Sequence, residues 1–221
     1  MYTRLLRGCA ACLRVTRLVL LVAMPAMSVL ASPSAAQDMP APVELQVRLL
    51  ARILQFDRRF PDGFGGEIVV GVLYQSRFRA SLDAMRAASS ALEDEHANGS
   101  VGGIPLRVVP LDLDGGLSLA DALADEQIDV LYVSPLRSVE IGTVSQVSRD
   151  KGVLTFTGVP EYVRLGLAVS VGSRGGRPEI LINIAAAAAE GVVFSSELLQ
   201  IANLVEGSAD ELDAFPDPAE P

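Results

Sequence analysis

Between residues 67 and 158, strand-like apolar runs alternate with helical repeats, and that alternation leaves few folds open to the chain. The first run, EIVVGVLY at 67–74, is nearly continuous in apolar residues, as in a strand of a parallel sheet covered on both faces. From Ser76 to about His96, Phe78, Leu82, Met85 and Leu92 recur along one helical face. A strand at 106–111 follows, then a helix opened by Ser118 and Asp121 as a capping box, and the strand DVLYVS at 129–134. A helix at 138–150 and the strand VLTFTG at 153–158 complete the pattern. Parallel strands joined through helices cross over right-handed, so the expected fold class is α/β: a three-layer domain with a mostly parallel sheet and helices on both faces. Upstream, Leu45, Leu49, Ile53, Phe56 and Phe60 predict a helix over 43–60, ended by Pro61 and Gly63.

After residue 160 the alternation stops. Two apolar runs flank Ser173, Gly175, Gly176 and Pro178, which predicts an antiparallel hairpin extending one sheet edge. In its second strand, EILINI, Ile180, Ile182 and Ile184 are expected on one face and Asn183 on the other. An Ala-rich helical turn follows at 185–189. Ser195 is then a candidate N-cap, with Glu197 in the first turn and Phe194 stapled to Leu199. Leu198, Ile201, Ala202 and Val205 predict a last helix running to residue 205. The order of Gly166 after an aromatic segment, a hairpin ending in ILINI with Asn183, a small-residue helix, and SSELLQIANLV with Ser195, Ser196 and Leu199 resembles the C-terminal signature of the YfiR family of bacterial periplasmic regulators. The resemblance covers residues 43–205 and is strongest from 162 onward. The aromatic helix that precedes the first strand in that family is matched by Phe56 and Phe60, but the chain contains no tryptophan.

The resemblance implies a non-enzymatic periplasmic protein. It would bind the periplasmic part of a membrane-bound diguanylate cyclase, or of a sensor kinase, and hold it inactive, so that an external signal controls cyclic-di-GMP. It implies no cofactor, and leaves a homodimer open. Asn183, Ser195 and Ser196 are candidates for a partner surface. Their structural roles, a satisfied strand-end amide and a helix cap, are the simpler reading.

The N-terminal segment agrees with export. Arg4, Arg7, Arg14 and Arg17 precede the apolar run Leu18–Leu30, and small residues including Ala36 follow. That run is shorter than the about 20 residues needed to span a bilayer, and Pro25 and Ser28 interrupt it, so cleavage near Ala36 is expected rather than a retained anchor. The chain then divides into a signal peptide (1–36), an α/β domain (37–205) and an acidic tail (206–221) too poor in apolar residues to pack. Both cysteines, Cys9 and Cys12, leave with the signal peptide, so neither a disulfide nor a redox-sensing role is expected. The formal charge of −9 becomes −13 once those four arginines are lost, which argues against nucleic acid and anionic membrane surfaces as partners.

Candidate chemistry is sparse. His96 is the single histidine and has no second His or mature Cys to complete a metal site or a nucleophilic triad. Asp112 and Asp114 in LDLDGG lack the ligand spacing of a calcium loop and read as turn residues. GFGG at 63–66 precedes its strand rather than following it, so it is no dinucleotide loop. With strand order 2-1-3-4, a ligand crevice is expected beyond the strand ends at the switch point, bordered by Tyr74, Gln75, Ser76 and Arg77 on one side and Ser134, Pro135 and Arg137 on the other. Those groups, beside helix starts at Ser76 and Ser138, would suit a small anion. The opening EIVVGVLYQS at 67–76, followed by an amphipathic helix, also looks like the first lobe of a periplasmic substrate-binding protein, so the alternative function is a periplasmic small-molecule-binding domain related to one lobe of such a transporter protein.

Overall fold

The computed structural model describes residues 38–206 except 98, 100, 138 and 140. The export segment, the acidic tail beyond Glu206 and the cap expected of Ser138 lie outside the described residues. In chain order the elements are α1 (Val43–Leu54), β1 (Ile68–Tyr74), α2 (Arg79–Ala97), β2 (Leu106–Asp112), α3 (Leu119–Asp125), β3 (Val130–Val133), α4 (Ile141–Lys151) and β4 (Leu154–Thr157). Then come α5 (Pro160–Arg164), β5 (Val169–Arg174), β6 (Arg177–Asn183), α6 (Ile184–Ala189), α7 (Ser196–Ile201) and β7 (Asn203–Val205).

The strands form one seven-stranded sheet in the order β2-β1-β3-β4-β5-β6-β7. All neighbours are parallel except the β5–β6 hairpin, which extends the sheet beyond β4 as expected. Because successive side chains point to opposite faces, the continuous apolar runs feed two cores. Ile68, Val70, Tyr132 and Phe156 face α1 and α2, packing on Val47, Leu50, Leu54 and Ala88. Val69, Leu73, Leu131 and Val133 face the other way, onto Leu123, Ile141, Val144 and Tyr162. The architecture is the three-layer α/β domain that the sequence predicts.

Four elements depart from expectation. The helix expected over 43–60 ends at Leu54, because the chain leaves it to bond the segment after α6: Arg58 N–H donates to the Val193 carbonyl at 3.0 Å and Ser195 N–H to that of Phe56 at 2.9 Å. Its buried face runs through Val47, Leu50 and Leu54, while Leu45 and Leu49 are half-buried. The helix expected from Ser76 starts at Arg79 and buries small residues, Ser81, Ala84, Ala88 and Ala91, so that it can approach the sheet closely. The last helix stops at Ile201, which is 68% exposed; residues 203–205 instead pair with the open edge of β6. Ile184, placed on the second hairpin strand by its spacing, begins α6 and is 44% exposed.

α1 is fastened to the sheet by a buried polar contact. Tyr132 donates its hydroxyl to Gln46 Oε1 at 2.6 Å, and Gln46 Nε2 donates to the Ala41 carbonyl at 2.8 Å. Burial holds the Tyr132 phenol far above its ordinary pKa, so it stays a donor at any working pH.

Candidate functional site

At the switch point the structure brings the expected residues together, largely to tie loops. Gln75 N–H donates to Ser81 Oγ at 3.0 Å, and Gln75 Oε1 accepts the Arg137 N–H at 2.6 Å. The Arg137 guanidinium lies 4.4 Å from the Phe78 ring centroid, a stacking cation–π geometry. Ser76 N–H donates to Asp112 Oδ1 at 3.1 Å, and Arg77 N–H to Asp114 Oδ2 at 2.7 Å. Ser76 thus sits in the turn before α2 rather than capping it. Burial alone would raise the Asp112 carboxyl, but hydrogen bonds from Ser76 and Asp114 outweigh it and hold the group below its ordinary value. The amides that would receive an anion are therefore already bound to protein carboxylates. Tyr74, Arg77 and Arg137 still offer a hydroxyl and two cations at the rim. Ser134 is fully buried, and among the described residues its Oγ has no hydrogen-bond partner.

The signature residues after α5 form a junction rather than a reactive cluster. Gly166 has φ +111°, and its carbonyl accepts Ser145 Oγ at 2.7 Å and Arg149 Nη2 at 3.2 Å. A Cβ there would stand 2.9 Å from Ser145 Oγ in a conformation that L-residues avoid, so Gly166→Ala is expected to cost about 2–4 kcal/mol in denaturant unfolding. Asn183 is buried; its Oδ1 accepts the Ala186 N–H at 3.0 Å as the N-cap of α6, and its Nδ2 donates to the Val163 carbonyl at 3.3 Å. Ser195 occupies the N-cap position of α7, but its side chain makes no capping bond. Ser196 is exposed, and Leu199 packs partly against the core beside α1. His96 Nδ1 accepts the Leu106 N–H at 3.2 Å, which ties the end of α2 to the start of β2.

One buried group carries little mark in the sequence. Glu190 follows α6, is fully buried, and accepts Thr155 N–H at 2.8 Å and Thr155 Oγ1 at 2.7 Å. Burial pushes its carboxyl up to about 7 against the opposing pull of the Thr155 bonds and of Arg149. The available signal was a lone charge closing an otherwise apolar AAAAAEGVVF run.

Open grooves also lie elsewhere among the described residues. At the amino ends of the strands, Arg59, Phe64, Leu123, Asp129 and Lys151 border a cavity of about 360 Å³. Burial raises the Asp129 carboxyl, although its Oδ2 accepts the Val69 N–H at 2.8 Å. Beside the hairpin, Leu49, Arg174, Arg177, Ile180 and Ile201 border a second of about 380 Å³. Among the described residues no three His, Cys, Asp or Glu side chains gather as metal ligands, and no helix is long and apolar enough to cross a membrane.

The family model described as YfiR/HmsC-like matches residues 43–203, from the start of α1 into β7. The chain belongs to the YfiR/HmsC-like family. Solved structures share the YfiR-like fold at low identity. A conserved domain protein from Vibrio cholerae O1 biovar El Tor is 18% identical with a TM-score of 0.51, the match covering 74% of this chain and 60% of that one. A ligand-free, open substrate-binding protein with adhesive properties from Clostridium difficile is 15% identical with a TM-score of 0.50, covering 76% and 61%. The YfiR-like chain thus spans less than two thirds of either neighbour. No curated protein sequence matches it.

Proposed function

We propose that this YfiR-like chain is exported to the periplasm, cleaved near Ala36, and there binds the sensor part of an inner-membrane diguanylate cyclase and holds it inactive. The observation that carries this reading is the family match, which runs through the whole helix-and-sheet body. Exposed Ile201 and Leu204 at the β7 edge supply apolar surface of the kind a partner buries. Affinity purification of the tagged chain from membranes of its own cell is expected to retain a membrane signalling enzyme with a periplasmic segment. Recovery of a sensor kinase would move the proposal to that enzyme class, and recovery of no membrane enzyme would count against it.

A second reading, a small-molecule-binding domain, rests on the groove of about 360 Å³ with its cations and Asp129. Thermal-shift screening with amino acids and nucleotides separates the two, since a ligand that binds only the folded state must raise the melting temperature.

A further inference from the structure

The sheet is narrowest where its parallel half meets the hairpin. β4 and β5 are in register over only two pairs, Phe156 with Val169 and Thr157 with Ser170, whereas β5 and β6 pair along the full length of β5. One residue below that overlap, Thr155 is paired with Leu131 of β3 but has no β5 partner on its other side to accept its N–H. Glu190 supplies the acceptor. Its Oε2 takes the Thr155 N–H, its Oε1 takes the Thr155 hydroxyl, and Thr155 Oγ1 in turn accepts the Ala168 N–H at 2.7 Å. The carboxyl therefore extends the β4–β5 seam by one rung, with a threonine hydroxyl as the bridge to the chain entering β5.

We propose that Glu190 is a proton-operated latch on this seam: with the carboxyl neutral the rung is closed, and loss of the proton loosens the hairpin unit from the parallel half of the sheet. The charged form is poorly compensated where it sits. From α4, Arg149 is the one cation acting on it, and that guanidinium is directed to the Gly166 carbonyl by Nη2 while its Nε is buried without a hydrogen-bond partner among the described residues. From β4, Thr155 supplies both hydrogen bonds to the carboxyl, and the Ala168 N–H reaches it only through Thr155 Oγ1. From the turn after α1, Arg59 approaches Gly191, next in the chain, but it is paired with Asp57 at 2.8 Å. A carboxylate closed in by neutral groups and one diverted arginine is relieved by opening to water. The carboxyl's midpoint near 7 puts that event within the range an exported protein meets.

The test is residue-resolved hydrogen exchange on the full chain, corrected for intrinsic rates, from pH 5.5 to 8.5. With an open-state carboxyl at its ordinary 4.5 and a closed-state value of about 7, protection of the Thr155 and Ala168 amides is expected to fall by about thirtyfold across that range. In Glu190→Gln, which cannot titrate, protection at both amides should be independent of pH. Unchanged protection in the wild-type chain, or the same fall in the Gln variant, overturns the proposal. Should that variant not fold, a carbon-13 titration of the Glu190 carboxyl in the wild-type chain decides: a midpoint near 7 supports the latch, and one below 5.5 overturns it.

Discussion

Gly158→Ala is expected to destabilise the domain by about 3–5 kcal/mol, measured by denaturant unfolding, although the change adds a single methyl group. Gly158 follows β4 at the level where α1 crosses the sheet, and a Cβ there would overlap the side-chain amide of Gln46. Gln46 cannot yield cheaply. It is fully buried, and moving it breaks the bonds to the Tyr132 hydroxyl and the Ala41 carbonyl, leaving buried polar groups unpaired. A shortened residue 46 removes the obstruction, so Gly158→Ala combined with Gln46→Ala should cost less than the sum of the two single changes. Additivity would show that the glycine is not held by the glutamine.

The second large effect is on pH. The Glu190 carboxyl titrates near 7 in the native state and near its ordinary 4.5 once unfolded. A native value above the unfolded one means that the native state holds the proton more tightly, so Glu190's contribution is fully present below about pH 4.5 and is lost as pH rises through 7. The difference corresponds to about 3 kcal/mol across that window, after which the dependence flattens. Denaturant unfolding at a series of pH values should show this decline in the wild-type chain and little of it in Glu190→Gln. A wild-type stability that rises steadily from pH 4.5 to 7 would mean that the carboxylate is better satisfied in place than its surroundings indicate.

The parallel half of the fold was legible because its signal is local. β1 and β3 are apolar on both faces, and Ser118 caps α3 by accepting the Asp121 N–H at 3.4 Å, as its position predicts. The β2-β1-β3 order puts the switch point where the alternation of strands and helices predicts it. What escaped depends on partners distant in sequence. Nothing within residues 43–60 says that α1 will stop at Leu54, because the break is made by pairing with Val193 and Ser195. Val205 falls at helical spacing from Leu198 and Ile201, yet it joins a strand because β6 leaves an edge open beside it. The turn reading of Asp112 and Asp114 does not reveal that their carboxylates take up the amides of Ser76 and Arg77, which are distant in sequence. Glu190 is not legible in the sequence, because an Ala-rich run gives no hint that its terminal acid turns inward to complete a seam.

The measurement that bears most directly on the regulatory reading is intracellular cyclic-di-GMP in the chain's own cell, with the gene deleted and then restored. A repressor of a membrane cyclase predicts that the level rises on deletion and returns when the exported chain is resupplied. A level unchanged by deletion, or one that falls, contradicts it.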